Sequence, residues 1–365
     1  MSQGIVDEYT LGEKLGYDAA YGVLKPHWDS WVQLGDFQKI QQSGFNLVRI
    51  PIGYWAYDNS NSPYVTGAAP YLDAAIDWAR QTGLKVIIDL HGAPGSQNGF
   101  DNSGQLLPKP LWQQGNTVQQ TLAVLETMQT KYGASSYDDV VAGIELLNEP
   151  LSSELNFDEL KQFERDGFGQ QRAVSQSRVV VIQDGFQPPS SYNGFLSPSD
   201  NNAYNVALDH HEYQVFTDEL VAMQPWQHRQ YVCNHASTYT GADKWTFIGE
   251  WSAAMTDCAA ALNGNYKLSL SLTRYGLTNI GQDMALAHVM TVPIPAAHTS
   301  EAAQLSTSSR RGRNRSRTTR GHTSRHSSRR SNPRRTGGSS GTSRPRQAPS
   351  GTPSGSLMLA SSLNL

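Results

Sequence analysis

Cysteine is scarce in this 365-residue chain, which has only Cys233 and Cys258, 25 residues apart. With no second pair, they argue against a disulfide-stapled scaffold or a cysteine metal site and read as buried thiols or disulfide halves. No apolar run approaches the ~20 residues of a membrane span. The opening residues MSQGIVDE (1–8) have neither a basic start nor an apolar core, so no signal peptide is expected. No glycine-rich phosphate loop opens any helix, which weighs against nucleotide binding. Aromatic residues stop at Tyr275 and acidic residues stop at Glu301.

Charge is divided just as unevenly. All 32 Asp and Glu lie within residues 1–301 beside 16 of the 29 Lys and Arg, a formal charge of −16. The other 13 bases, all Arg, fall between Arg310 and Arg346. An acidic body argues against nucleic acid or an anionic membrane as partner and suits neutral substrates. The Ser-, Arg-, Thr-, Gly- and Pro-rich tail cannot bury enough apolar surface to offset its chain entropy, so residues 265–365 are expected to be disordered. Basic Ser/Arg segments do bind RNA, but this one has neither interleaved aromatics nor RGG repeats.

Residues 5–45 read as mostly helical, with Trp28, Trp31, Leu34 and Phe37 at helical spacing and expected in the core. A unit then repeats: a short apolar strand, a polar loop and an amphipathic helix. Strands are expected at 46–52, 85–91, 141–149, 178–184, 205–213 and 246–251, with helices at 69–82, 116–132 and 158–175. Alternating β and α with near-continuous apolar strands predicts a parallel sheet covered by helices. Arg49, His91, Glu149, His211 and Glu250 fall at the C-terminal ends of five strands. A doubly wound sheet gathers its ligand groups mostly at one crevice. Polar groups on so many strands favour a (β/α)8 TIM barrel, whose site draws on all its loops.

Two apolar runs end on a glutamate, IELLNEP (144–150) and FIGEW (247–251). An unpaired charge in an apolar wall is costly, so such carboxylates call for a reason. Two carboxyls facing each other across a sugar are what glycosidic hydrolysis requires, with Glu149 and Glu250 as the catalytic candidates. Glu145 shares the parity of Glu149 but lies about 13 Å deeper in the expected strand, as a structural carboxylate. Asn148 is placed to bind a sugar hydroxyl. Gly249 leaves room beside Glu250, and Trp251 offers an apolar wall. Arg49 is expected to pair with a carboxylate and to hold Glu250 ionised. His91 begins the loop HGAPGSQNGFDNSG, where Phe100 is a candidate sugar platform. His211 and Tyr213 read either as a satisfied core histidine and a buried phenol or, as favoured here, as hydrogen-bond partners of Glu250.

Several longer stretches carry a resemblance: IVDEYTLGEKLG (5–16), HWDSW (27–31), NLVRIPIGYWAY (46–57), DLHGAPGSQNGFDNSG (89–104), DHHEYQVF (209–216) and GEWSAAMTDC (249–258). Residues 5 to about 264 resemble the fungal exo-β-1,3-glucanases of glycoside hydrolase family 5. The resemblance implies a retaining barrel enzyme that releases glucose from the non-reducing ends of β-1,3-glucan, outside the cell or at its wall. Glu149 would be the acid/base and Glu250 the nucleophile, with Arg49, His91, Asn148, His211 and Tyr213 lining the site. Phe100 and Phe216 would clamp a glucosyl unit at its entrance. No metal or organic cofactor, no nucleic acid and no membrane partner is expected, and the family suggests a monomer. An endo-acting relative is the alternative within the family.

Against that pattern the chain is expected to lack the first strand, with its G-x-N-L-G-G-W-like motif, and the eighth, near F-W-x-W-K. The partners that the resemblance gives Cys233 and Cys258 would lie in the missing part. The reading is therefore an incomplete barrel over 1–264 and a disordered tail over 265–365. The abrupt break at 261–264 is the pattern of a retained intron or a shifted frame. A barrel with two exposed edges could lose the ~5–15 kcal/mol that keeps a domain folded, leaving an inactive product.

Overall fold

A computed structural model describes residues 4–59 and 62–256. The expected tail, the break at 261–264 and Cys258 lie outside the described residues. In chain order the helices are α1 (Glu8–Leu15), α2 (Tyr17–Trp31), α3 (Leu34–Gln42), α4 (Ala69–Thr82), α5 (Thr117–Tyr132), α6 (Phe157–Val174), α7 (Asp218–Val221) and α8 (Pro225–Thr240). The strands are β1 (Leu47–Gly53), β2 (Lys85–Gly92), β3 (Val141–Glu145), β4 (Val179–Gln183), β5 (Val206–Glu212) and β6 (Trp245–Trp251). They form one sheet in sequential order, every pair parallel.

That sheet is curled into a half-barrel. Laid flat, β1 and β6 would lie about 24 Å apart, at ~4.8 Å per neighbour. Yet the Arg49 guanidinium on β1 donates to Glu250 on β6 at 2.9 Å. Only a sheet curved about a common interior lets the two meet. The interior is lined low down by Leu47, Ile87, Val181 and Ala207, with Phe247 against them. Outward-facing Val48, Ile50, Val86, Ile88, Ile144, Val180 and Leu208 pack beneath the helices. Buried on both faces, the strands read as continuous apolar runs rather than alternations.

Helix ends follow local chemistry. The Asp7 carboxylate caps α1 by accepting from Thr10 N, and Thr10 Oγ1 accepts from Asp7 N in return. Gly83 closes α4 in a left-handed conformation at φ 75°. The helical stretch expected over 5–45 is three helices, because Gly16 at φ 75° and the extended Val32–Gln33 pair interrupt it. The spacing argument across that break therefore fails for Trp31, which is 44% exposed, while Trp28 and Phe37 are buried. Cys233 is exposed on α8 rather than buried. The strand expected over 141–149 stops at Glu145, and residues 146–149 continue as irregular backbone. Among the described residues no helix is long and apolar enough to cross a membrane.

Candidate active site

Arg49 is the hub. It is fully buried, and its Nε and NH2 donate to the two oxygens of Glu145 at 2.7 and 3.1 Å. NH2 also donates to Asn148 Oδ1 at 2.7 Å, and NH1 to Glu250 Oε1. Asp89 and Asp209 lie at 3.1 and 3.2 Å. Burial by itself would lower the guanidinium's pKa, but four carboxylates push it well above its usual value. Burial has the opposite effect on Glu145: it raises that carboxyl well above the usual range, against the pull of Arg49. Glu145, expected deep in the strand and apart from Glu149, belongs to the same Arg49 network as Glu250.

Glu250 reaches the interior through an irregularity in β6. His210 pairs with Ile248 and His211 with Glu250, so Gly249 is an extra residue opposite β5. Phe247 faces inward, and strict alternation would turn Glu250 outward; the bulge turns it back in. Gly249 is required there because a Cβ would overlap the Asp209 carboxylate, which instead accepts from Gly249 N at 2.6 Å. The space left by the missing side chain is filled by Asp209. Glu250 Oε2 accepts from Tyr213 Oη at 3.0 Å. Burial raises the Glu250 pKa, but His211, Arg49, His91 and the Tyr213 hydroxyl outweigh it and lower it to about 2. Tyr213 is itself pushed well up, by burial first and then by the Glu250 charge.

Glu149 stands past the end of β3 in left-handed backbone, φ 42°, a conformation uncommon outside glycine. Asn148 N donates to Leu90 O at 3.0 Å, which ties this irregular segment to β2. Glu149 Oε1 accepts from His211 Nδ1 at 2.6 Å and Oε2 from Asn102 Nδ2 at 2.9 Å. The expectation that His211 bonds chiefly to Glu250 is corrected here, since its Nδ1 lies 3.5 Å from Glu250 Oε2. Burial opposes the His211 charge, yet Asp209, Glu250 and Glu149 raise its pKa well above the usual value. His91 Nδ1 donates to Asp89 Oδ2 at 2.7 Å, at the end of β2 where the strand expected over 85–91 places it. Oxygens of Glu149 and Glu250 and a nitrogen of His211 all lie within 4.8 Å of one another. The arrangement sets a carboxylate held ionised opposite a second carboxyl group with its own donors.

The same closeness gives two trios able to share a metal ion, Glu149/His211/Glu250 and Glu145/Asp209/His211. In both, Arg49 and His211 already supply positive charge to the carboxylates. At the mouth, the two phenylalanines expected to clamp a glucosyl unit each have an aromatic neighbour. Phe100 meets Phe186 edge-on, centroids 6.2 Å apart at 77°, and Phe216 meets Tyr213 at 5.6 Å. Both Phe100 and Phe216 are exposed, as is Phe186.

Asp89, Asp209 and Asn102 join the site, and Phe186 its mouth, without having been expected from the sequence. Asp89 and Asp209 had a signal, each lying two residues before a site histidine and therefore on the same strand face. Asn102 and Phe186 sit on loops, where spacing says nothing about direction.

A family model described as cellulase (glycosyl hydrolase family 5) matches residues 26–275, past the break placed at 264. The chain is 46% identical to a glucan 1,3-beta-glucosidase of Candida oleophila, over 71% of this chain and 62% of that protein. It is 49% identical to one from Schwanniomyces occidentalis, over 72% and 61%. The chain thus spans about three-fifths of the length of these curated relatives. In fold it is similar to the crystal structure of rutinosidase from Aspergillus niger, with a TM-score of 0.61, 23% identity, and 68% and 72% of the two chains covered.

Proposed function

Because the chain belongs to glycoside hydrolase family 5, we propose that it cleaves β-1,3-glucan from the non-reducing end, releasing glucose with retained configuration. The observation that carries this reading is that an oxygen of Glu149 lies within 4.8 Å of an oxygen of Glu250, the two carboxyls standing in unlike surroundings. Retaining enzymes hold their carboxyls about 5–5.5 Å apart, whereas inverting ones need ~6.5–9.5 Å to seat a water. Glu250, ionised by Arg49 and His211, attacks the anomeric carbon while Glu149 gives its proton to the departing oxygen. Water, deprotonated by Glu149, then displaces Glu250 from the glucosyl carbon.

Around these two, Asn148 holds its Oδ1 against Arg49, while its Nδ2 is buried with no partner and free to meet a sugar hydroxyl. His91, anchored by Asp89, is a second hydroxyl partner. Phe100, Phe186 and Phe216 offer ring faces on which pyranose C–H groups pack at the mouth. The acidic body suits a neutral polymer, and we assign the work to the cell wall or the space outside the cell, where such glucan is found. The test is digestion of laminarin followed by proton NMR. Glucose alone, appearing first as the β-anomer, is the expected result; intermediate oligosaccharides would point to endo-cleavage, and the α-anomer would sink the retaining mechanism.

One consequence concerns pH. A hydrogen bond to the ionised form favours it, so removing the Tyr213 donor must raise the Glu250 pKa. Tyr213→Phe is expected to move the acid limb of kcat/KM upward from about 2. It should also lower kcat/KM roughly 10-fold or more, as for loss of a bond to a charged group. An unmoved limb would show that another group sets it.

A further inference from the structure

Next to His211 on β5 stands His210, whose side chain points to the other face of the strand and takes no part in the chemistry above. Its Nδ1 donates to Asp184 Oδ2. Asp184, itself buried just past β4, uses its other oxygen to accept the backbone N–H of Phe186 at 3.0 Å. Between them, Gly185 and Phe186 form two consecutive left-handed residues at φ 61° and 63°. For a residue with a Cβ that conformation is uphill and holds only where its surroundings dictate it. The same turn leans on the loop after Glu149, because Ser152 Oγ donates to Gly185 O at 2.5 Å and accepts from Gln187 Nε2 at 2.9 Å. Phe186, 49% exposed, is thereby presented edge-on to Phe100.

We propose that His210 is a positioning residue for the substrate-binding mouth: through Asp184 it fixes the Gly185–Phe186 turn and with it the ring that stands against Phe100. The inference rests on the reading of Phe100 and Phe186 as a sugar-binding rim.

His210 is well placed to act this way. Glu212 Oε2 lies 3.6 Å from its Nε2, on its own strand. From α8, Tyr239 packs its ring 5.1 Å away and donates to Glu212 at 2.6 Å. His235 of α8 acts on Glu212, and His211 acts on Asp184. Burial opposes the charge on His210, but Asp184 and Glu212 outweigh it and raise its pKa to about 9. A group raised in this way contributes stability that is complete below pH 6.5 and is lost as pH rises through about 9. Lost His210 charge leaves the Asp184 carboxylate buried with a weaker donor, and the turn loosens.

The test labels the protein with 15N-phenylalanine and follows the Phe186 amide. In the wild type its resonance should titrate together with the His210 imidazole, at one midpoint near 9. A Phe186 amide that stays flat through that titration overturns the proposal, and this measurement needs no variant that must fold. His210→Phe should lower amide protection at Phe186 by roughly 10-fold or more, the loss of a hydrogen bond to a charged group. His210→Asn, whose Nδ2 takes the place of Nδ1, should restore most of it. Equal deprotection in both variants, or none in the first, overturns the proposal. With laminaritriose, His210→Phe should raise KM several-fold while kcat falls less than about twofold, as for an interaction that contributes to binding alone. A wild type that hydrolyses no glucan would refute the hydrolase reading, and the amide measurements would still decide the role of His210.

Discussion

Glu250→Gln is expected to abolish glucan hydrolysis, lowering kcat by more than about 10⁴-fold, as loss of a covalent nucleophile does elsewhere. Gln keeps the shape and one acceptor oxygen for Arg49, but cannot form the glucosyl ester. Loss of the acid/base is milder when the leaving group needs no proton. Glu149→Ala should cost about 10²–10⁴-fold on glucan and far less on an activated aryl glucoside. Azide tells the two roles apart. In Glu149→Ala it displaces Glu250 from the glucosyl-enzyme and yields the β-glucosyl azide. In Glu250→Ala it attacks the substrate itself and yields the α-azide. The reverse pattern would exchange the roles of the two glutamates. Unchanged turnover in Glu250→Gln would remove the catalytic assignment altogether.

The second large effect is on folding. Arg49→Met strips the cation from Asp89, Glu145, Asp209 and Glu250, all gathered on one guanidinium. Breaking a buried ion pair by removing one partner costs about 3–5 kcal/mol, because the orphaned charge stays buried. Set against the ~5–15 kcal/mol that separates folded from unfolded domains, that is a large share. Urea unfolding should show the midpoint collapse, with little folded protein accumulating. Arg49→Lys should not rescue it, since an ammonium is a point charge without the planar fork that meets Glu145 through Nε and NH2. A midpoint equal to wild type would overturn the view that Arg49 holds these acids together.

Much of this was legible beforehand, and for physical reasons. The runs over 46–52, 85–91 and 205–213 are strands because β-branched and apolar side chains buried on both faces leave no alternation to misread. Glu149, Glu250 and Arg49 stood out because a charge amid such runs needs a partner. Partner choice was harder. Neighbouring strands suggest that His211 meets Glu250, yet its shorter contact is to Glu149. Glu149 comes that close because the chain leaves β3 at Glu145 and turns inward through left-handed backbone, which no apolar pattern records. Phe186 escaped notice for a similar reason, since its direction is set by an Asp184 carboxylate held from another strand.

What the amino-acid sequence determined by itself is the inventory: six parallel strands, two candidate carboxyls, their cation and Phe100 of the mouth. These follow from local pattern and from the cost of burying charge, both properties of short segments. Tertiary structure alone decided which groups meet. Curling the sheet joins Arg49 of β1 to Glu250 of β6. One extra residue at Gly249 reverses the face on which Glu250 emerges, and the Asp209 carboxylate occupies the space that a side chain there would need. A bulge shifts the two-residue period by one, so side-chain direction beyond it depends on pairing with the neighbouring strand, a non-local fact that parity along one strand cannot contain.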